Sequence, residues 1–254
     1  LINIEFSSNN CAIVKIRFIV KIFFLRLNEC LFLVFGINIY AYLAYLCYIN
    51  SICPFCLHFS QILFIKTFNI NTEEILEQDL SKYRTFNEFF IRKIKPELRP
   101  INIDCKACSP VDGTVGEAGR ITCGRLIQAK GLDYSLCALL GGNKADSDYF
   151  EDGNFATLYL SPANYHRIHM PIDGTLIKTI HIPGKLFPVG SKNISNMPDL
   201  YTVNERLVCF FETKIGQVAV IMVGAALVGS INTVWSGTVV RRKGIEITDY
   251  SHDD

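Results

Sequence analysis

The sequence predicts an α+β protein in which membrane-associated N-terminal helices precede a mostly antiparallel β domain with short helices. Two observations support this fold class. No Lys, Arg, Asp or Glu occurs between Glu29 and Lys66, so the first part of the chain is strongly apolar. From about Cys105 onward, short apolar runs alternate with glycine turns, which is the pattern of strands joined by hairpins. We therefore divide the 254 residues into an apolar helical region (1–70), an amphipathic connector (71–104) and a β-rich domain (105–254).

The apolar region contains two segments of different character. Residues 13–27 mix apolar side chains with four Lys and Arg residues, a basic amphipathic pattern that suits an anionic membrane surface. Residues 31–49 are apolar and long enough to span a bilayer before Pro54 interrupts them. A hydrophobic helical hairpin packed on the later domain is the alternative. The pattern favours membrane association, whether by spanning or by embedding.

The connector carries two helix-start signals. Asn71 and Thr85 are capping residues, and each has a glutamate three positions later, at Glu74 and Glu88. The second signal predicts a short phenylalanine-rich helix. Residues 82–99 carry six Lys and Arg side chains, which form either a solvated basic face or a contact with an acidic lipid surface.

The β-rich domain is predicted from apolar runs bounded by turn residues. Ile215 and Gly216 mark a hairpin turn, and residues 135–140 read as a helical turn. The predicted strands are 115–121, 126–130, 155–160, 176–182, 207–212, 218–223 and one or two within 231–240.

Charge and cysteine usage narrow the functional classes. The formal net charge is +1, so no global field argues for nucleic acid as a partner. Cys53/Cys56 and Cys105/Cys108 have CxxC spacing and could together supply four thiolates to zinc. Free thiols in a reducing compartment are the favoured interpretation, because the pairs lie far apart in the chain.

Two histidines stand three residues apart within residues 158–175. His166 and His169 follow an apolar strand-like run, and imidazoles titrate near neutral pH, so the pair indicates general acid–base chemistry. A metal site is the weaker alternative, because only Asn164 and Asp173 stand nearby as further ligands.

A carboxylate and a hydroxyl could extend this chemistry. Asp112 lies in a Ser-Pro-Val-Asp-Gly turn, where it serves either the turn itself or the orientation of a histidine. Ser230 is a candidate nucleophile for a serine hydrolase, although no G-x-S-x-G motif surrounds it. A small residue at a close approach of strands is the favoured interpretation of Ser230.

Seven ordered segments between about residues 70 and 240 resemble the bacterial-type phosphatidylserine decarboxylase family. They are YRTFNEFFIRKIKPELRPI (83–101), SPVDGTV (109–115), IQAKGLDYSLCALLGG (127–142), YLSPANYHRIHMPIDG (159–174), IPGKLFPV (182–189), NERLVCFFET (204–213) and VGAALVGSINTVWSG (223–237).

The resemblance implies a pyruvoyl cofactor that a self-cleaving proenzyme makes from its own serine. It implies that Asp112 and His169 belong to the self-cleavage triad and that His166 acts in decarboxylation. The β-rich domain would then be catalytic, converting phosphatidylserine to phosphatidylethanolamine in phospholipid biosynthesis. The implied partners are membrane phospholipid and the α chain of the same proenzyme, and a homodimer is compatible with it. The implied location is the cytoplasmic face of the cell membrane, peripheral or anchored.

The sequence departs from the family pattern in two places. Asn164 stands where an acidic residue is common, and no Gly-Ser-Thr cleavage segment is present. We therefore expect this chain to be the β-chain portion of a proenzyme truncated before that segment. An inactive membrane-bound remnant that binds lipid or a partner is the alternative, and a serine hydrolase is a weaker one.

Overall fold

Two antiparallel sheets organise the chain in a computed structural model. The structure describes residues 54–102, 104–129, 131–226, 228–239 and 243–251, together with the backbone alone of 2–6, 12–17 and residue 192. The strands are β1 (Ile2–Phe6), β2 (Ala12–Arg17), β3 (Thr114–Arg120), β4 (Arg125–Ala129), β5 (Leu132–Ser135), β6 (Asn154–Tyr159), β7 (Arg167–His169), β8 (Gly174–Ile182), β9 (Arg206–Thr213), β10 (Gly216–Val223), β11 (Ser230–Thr233), β12 (Gly237–Thr238) and β13 (Glu246–Asp249).

One sheet has the strand order β10-β9-β8-β13, and another has the order β1-β2-β11-β12 with β7 also paired to β2. The pairs β3-β6 and β4-β5 complete the antiparallel arrangement. The predicted hairpin is confirmed, because β9 and β10 pair from Thr213↔Gly216 to Arg206↔Val223.

Strand β9 separates two hydrophobic cores. Its side chains alternate between the two faces of the sheet, as the two-residue period of a strand requires. Leu207, Cys209 and Phe211 join the first core, and Val208 and Phe210 join the second. All five are buried, so both faces of the sheet are covered.

The helices of the described chain are short apart from the first. They are α1 (Pro54–Phe68), α2 (Phe86–Phe90), α3 (Leu136–Leu139), α4 (Lys144–Tyr149), α5 (Ser191–Asn196) and α6 (Leu200–Val203), with 3-10 turns at Thr72–Glu74, Leu80–Lys82 and Pro96–Leu98. The predicted caps are confirmed, since the Asn71 side chain accepts from the backbone N–H of Glu73 and that of Thr85 from Glu88. The phenylalanines of α2 pack against Phe64 of α1 in the first core.

The predicted α+β class with mostly antiparallel sheets is confirmed. The N-terminal part differs from the prediction, because residues 2–6 and 12–17 form an antiparallel strand pair in place of helix. Ile and Val dominate 12–17, and β-branched side chains favour strands. The expectation for residues 31–49 lies outside the described residues. Within the described part of the chain, no helix is both long and apolar enough to cross a membrane.

Candidate active site

His166 lies at the entrance to β7 and is buried, with 3% of its surface exposed. Its ring packs on Phe90 of α2 at a centroid distance of 4.0 Å. Its Nδ1 lies 2.8 Å from the carbonyl oxygen of Asn164. A carbonyl oxygen only accepts hydrogen bonds, so the proton of the neutral ring sits on Nδ1 and Nε2 carries the lone pair.

Burial lowers the pKa of His166 to about 3, and the positive charge of Arg92 contributes in the same direction. The hydrogen bond to Asn164 opposes this shift but does not cancel it. At neutral pH the ring is therefore uncharged, and Nε2 is a proton acceptor.

His169 ends β7 and is also held neutral. Its Nε2 lies 3.0 Å from the hydroxyl of Tyr165, one residue before His166. Burial lowers the pKa of His169 to about 4, the charge of Arg167 adds to this, and the carboxylate of Asp112 opposes it. Both imidazoles are therefore uncharged at neutral pH.

Asp112 lies in the loop before β3. Both of its carboxylate oxygens accept from Nε of Arg99, at 2.9 and 2.7 Å, and Nη2 of Arg99 also contacts Oδ2 at 2.6 Å. Arg99 reaches Glu74 as well, at 2.8 Å, so one guanidinium joins two carboxylates. These contacts raise the pKa of Arg99, with Asp112 the largest cause.

Gly113 explains the tight path of this loop. A Cβ at Gly113 would lie 2.7 Å from the backbone oxygen of Tyr159 in β6, a separation too small for any larger residue. The glycine after Asp112 thus lets the loop approach the neighbouring strand.

The structure brings Asp112 and His169 into one neighbourhood through backbone hydrogen bonds. The N–H of His169 donates to the oxygen of Pro110 at 2.8 Å, and the N–H of Cys108 donates to Pro171 at 2.7 Å. Among the described residues, however, the Asp112 carboxylate pairs with Arg99 and not with the His169 ring. Asp112 thus acts on His169 through its charge.

Sequence reasoning did not identify Phe90, Tyr165 and Arg99 as parts of this site. Tyr165 stands four residues before His169, which is the one local signal available. Arg99 was visible only as one of six basic residues, because its contact with Asp112 depends on tertiary structure.

Ser230 is buried and lies away from the histidines. Strands β7 and β11 both pair with β2, with residue 13 opposite His169 and residue 17 opposite Ser230. An offset of four residues corresponds to about 13 Å along a strand. A nucleophile and its base must approach within about 3 Å, so this arrangement does not support the hydrolase alternative.

The metal alternatives gain no support from the described residues. No cluster of three or more His, Cys, Asp or Glu side chains with the geometry of a metal site occurs among them. Cys105 and Cys108 form no disulfide with another described residue, and Cys53 lies outside the described residues.

Together, fold and site define a class of α+β protein with a carboxylate loop held against a strand that carries neutral imidazoles. Comparison with known proteins identifies the family. A family profile described as phosphatidylserine decarboxylase matches residues 86–248. The chain belongs to the phosphatidylserine decarboxylase family.

Three relatives illustrate the similarity, each named phosphatidylserine decarboxylase proenzyme. The chain is 48% identical to the protein of Idiomarina loihiensis over 74% of its own length and 65% of the relative's. It is 50% identical to the protein of Pseudoalteromonas translucida over 75% of its own length and 66% of the relative's. It is 52% identical to the protein of Coxiella burnetii strain RSA 331 over 74% of its own length and 67% of the relative's. The chain thus spans about two thirds of the length of these relatives.

Proposed function

We propose that this chain is the β-chain portion of a proenzyme that decarboxylates phosphatidylserine to phosphatidylethanolamine. The observation that carries the proposal is the backbone bond between His169 and Pro110, which holds the Asp112 loop against the strand that follows His166. Both imidazoles are neutral at neutral pH, and only a neutral imidazole accepts a proton.

The proposed cofactor is a pyruvoyl group, made from a serine of the same proenzyme. When bound, it supplies a carbonyl that withdraws the electron pair left by the departing CO₂. The residues are compatible with such a group, because His166 and His169 are uncharged rings three residues apart that can accept a proton, and the charge of Asp112 acts on His169. These three residues would lie against it.

In this proposal His169 acts in self-cleavage. The low pKa of His169 keeps its ring unprotonated, so it takes a proton from a hydroxyl nucleophile. The Tyr165 hydroxyl at 3.0 Å orients the ring through Nε2. The Asp112 carboxylate stabilises the imidazolium that forms, and Arg99 holds that carboxylate in place.

His166 acts in the decarboxylation step. The carbonyl of Asn164 holds the proton on Nδ1, so Nε2 is the atom that would take up a proton from solvent and pass it to the substrate carbon that has lost CO₂. Phe90 packs on the ring and limits its contact with water, which also opposes lasting protonation. The His166 ring is therefore protonated only briefly during the reaction.

The proposed location is the cytoplasmic face of the cell membrane, peripheral or anchored. Exposed phenylalanines on α1 support a lipid contact, with Phe55 78% and Phe59 49% exposed. The proposed partners are phosphatidylserine, membrane phospholipid and the α chain, and a second copy of the protein is a further candidate.

The test separates the two histidines in the proenzyme expressed from its complete reading frame. We expect His169→Ala to remain as a single uncut band on a denaturing gel. We expect His166→Ala to be cut normally and to lose at least about 100-fold in decarboxylation rate, the scale of general acid–base catalysis. His58→Ala, at an exposed position on α1, is the matched control.

Normal cutting and normal decarboxylation in both variants would contradict the assignment. A wild-type proenzyme that folds and is cut, yet releases no CO₂ from phosphatidylserine, would instead favour the inactive lipid-binding alternative. Radioactive CO₂ release from carboxyl-labelled phosphatidylserine measures the rate in each case.

A further inference from the structure

A pair of cysteines lies at the start of the loop that carries Asp112, and the proposed reaction does not use it. Cys105 is exposed and Cys108 is partly exposed, so solvent reaches both residues. Neither forms a disulfide with another described residue. Two thiols with CxxC spacing can join in an intramolecular disulfide where the chain between them turns back on itself.

The chain makes such a turn at Asn102. The backbone N–H of Cys105 donates to the carbonyl oxygen of Asn102 at 3.2 Å, and the Asn102 side chain accepts from the N–H of Asp104 at 3.0 Å. Sγ of Cys108 lies 3.9 Å from the same carbonyl oxygen. Because the two groups share one acceptor, the Cys108 sulfur lies beside the backbone of Cys105. Cys105 is exposed, so its side chain can rotate toward that sulfur.

The other described cysteines of the β-rich domain lack this arrangement. Cys209 is 0% exposed, and burial raises the pKa of its thiol, which makes it unreactive. Cys123 is exposed and Cys137 is partly exposed, but no second cysteine stands near either of them in the sequence. They are therefore internal references for how a single accessible thiol behaves.

The backbone of Cys108 belongs to the contact between the Asp112 loop and β7. Its N–H donates to the oxygen of Pro171 at 2.7 Å, and the N–H of His169 donates to the oxygen of Pro110 at 2.8 Å. These two bonds fasten residues 108–110 to residues 169–171. A change in the backbone freedom of Cys108 therefore acts on the position of the Asp112 loop.

We propose that Cys105 and Cys108 form a reversible disulfide by exchange with a low-molecular-weight disulfide, and that this cross-link tightens the contact between the Asp112 loop and β7. The Cys105 thiolate attacks one sulfur of the small disulfide, so a mixed disulfide forms, the original S–S bond breaks and one small thiolate leaves. The Cys108 thiolate then attacks the Cys105 sulfur and releases the second small thiolate. Two electrons pass from the cysteine pair to the small disulfide, and its two thiolates take up the two protons that the cysteines lose.

The expected tightening follows from chain entropy. The disulfide closes a ring of four residues, so the segment that swings away when the bonds at Cys108 and Pro110 break has fewer conformations to gain. Opening of this contact is then less favourable in the oxidised protein than in the reduced protein. Reduction by the small thiol reverses both exchange steps and restores the original freedom.

The first experiment maps the disulfide with oxidised glutathione as the small disulfide. The full chain is oxidised, its remaining thiols are alkylated, and it is digested with trypsin. Trypsin cuts after Lys106, so Cys105 lies in peptide 94–106 and Cys108 in peptide 107–120. We expect a mass spectrum to show these two peptides joined, and to show them separate after treatment with dithiothreitol. Peptide 121–125, which contains Cys123, should not be joined to another peptide.

Cys108→Ser tests the order of the two steps. Serine keeps the backbone N–H that bonds to Pro171 but removes the second thiol, so we expect glutathione to stay attached to Cys105. Cys123→Ser is the matched control and should still give the joined peptides. Absence of joined peptides in the wild type, or equal glutathione attachment at Cys105 in the wild type and in Cys108→Ser, would overturn the proposed disulfide.

The second experiment measures hydrogen exchange at the backbone amides of Cys108 and His169 by NMR. We expect oxidation to slow both amides at least about threefold in the wild type, because opening exposes them to solvent. The same treatment should leave the His169 amide unchanged in Cys108→Ser. Unchanged or faster exchange in the oxidised wild type would overturn the proposed tightening. Because the readouts are a covalent bond and amide exchange, failure of the decarboxylase proposal would leave these results unaffected.

Discussion

At the scale of single residues, the site depends on keeping two imidazoles uncharged. His166 is packed beneath Phe90, whereas His169 is half-buried beside Tyr165 and Arg167. Both rings therefore bind protons less readily in the folded protein than in the unfolded chain, where the pKa is near 6.5.

This difference predicts a loss of stability in acid. Because the pKa of His166 in the fold is about 3, its contribution to stability is complete above pH 6.5 and is lost as the pH falls toward 3. We expect the free energy of unfolding to fall by about 1–3 kcal/mol more between pH 7 and pH 4.5 in the wild type than in His166→Gln. Urea unfolding at the two pH values measures this.

His58→Gln is the control, because it removes an exposed imidazole on α1. Equal acid sensitivity of the wild type and His166→Gln would show that His166 is not held neutral by burial.

At the scale of elements, Arg99 links three parts of the chain that are separate in sequence. It follows the 3-10 turn Pro96–Leu98, contacts Glu74 in the first 3-10 turn, and holds Asp112 in the loop before β3. The Asp112 loop is in turn fixed to β7 by the bond from His169 to Pro110. Arg99 thus positions the carboxylate of Asp112 from a segment that precedes it in the chain.

Removal of Arg99 should raise the pKa of His169. In Arg99→Met the charge of Asp112 is no longer neutralised, and a nearby negative charge favours the protonated imidazole. We expect the pKa of His169 to rise from about 4, by about half a pH unit or more, in an NMR titration of the ring. Arg120→Met is the control, because Arg120 pairs with Asp152 at 3.8 Å on another loop. An unchanged His169 titration in Arg99→Met would mean that Asp112 does not act on this ring.

At the scale of the whole molecule, β9 couples the site to one core and not to the other. Phe211 lies in the first core together with Ile168 and Met170, which flank His169. Phe210 points to the opposite face and joins the second core. Both phenylalanines are at most 1% exposed, so they are matched in burial.

The matched pair gives a prediction about stability and site order. Phe210→Ala and Phe211→Ala should each lower the free energy of unfolding by about 3–5 kcal/mol, the cost of a large cavity in a core. Only Phe211→Ala should also speed native-state hydrogen exchange at Ile168 and Met170, because it removes packing beneath β7. Equal acceleration in both variants would show that the two cores are not independent.

Local signals in the sequence were sufficient to predict many of the elements in the β-rich part of the chain. Thr85 caps α2 as predicted because a hydroxyl three residues before a free N–H is a local arrangement. Strand β7 was not predicted, because its three residues lie in a polar segment and are strands only through pairing with β2. Both strands of the N-terminal pair were missed because apolar runs do not by themselves distinguish helix from strand.

The candidate site was predictable in its residue types and not in its contacts. The spacing of His166 and His169 is visible in the sequence, as is the turn at Asp112. The contact of Arg99 with Asp112 arises from folding, since it depends on where distant segments meet.

The bond between His169 and Pro110 has a consequence for the order of folding. It joins residues 59 positions apart, so forming it early would cost the entropy of closing a long loop. The β9–β10 hairpin closes across only two residues and can form first. Contacts of long sequence separation tend to form later and more slowly. We therefore expect Asp112 and His169 to meet late in folding, which would delay any self-processing until the scaffold is complete.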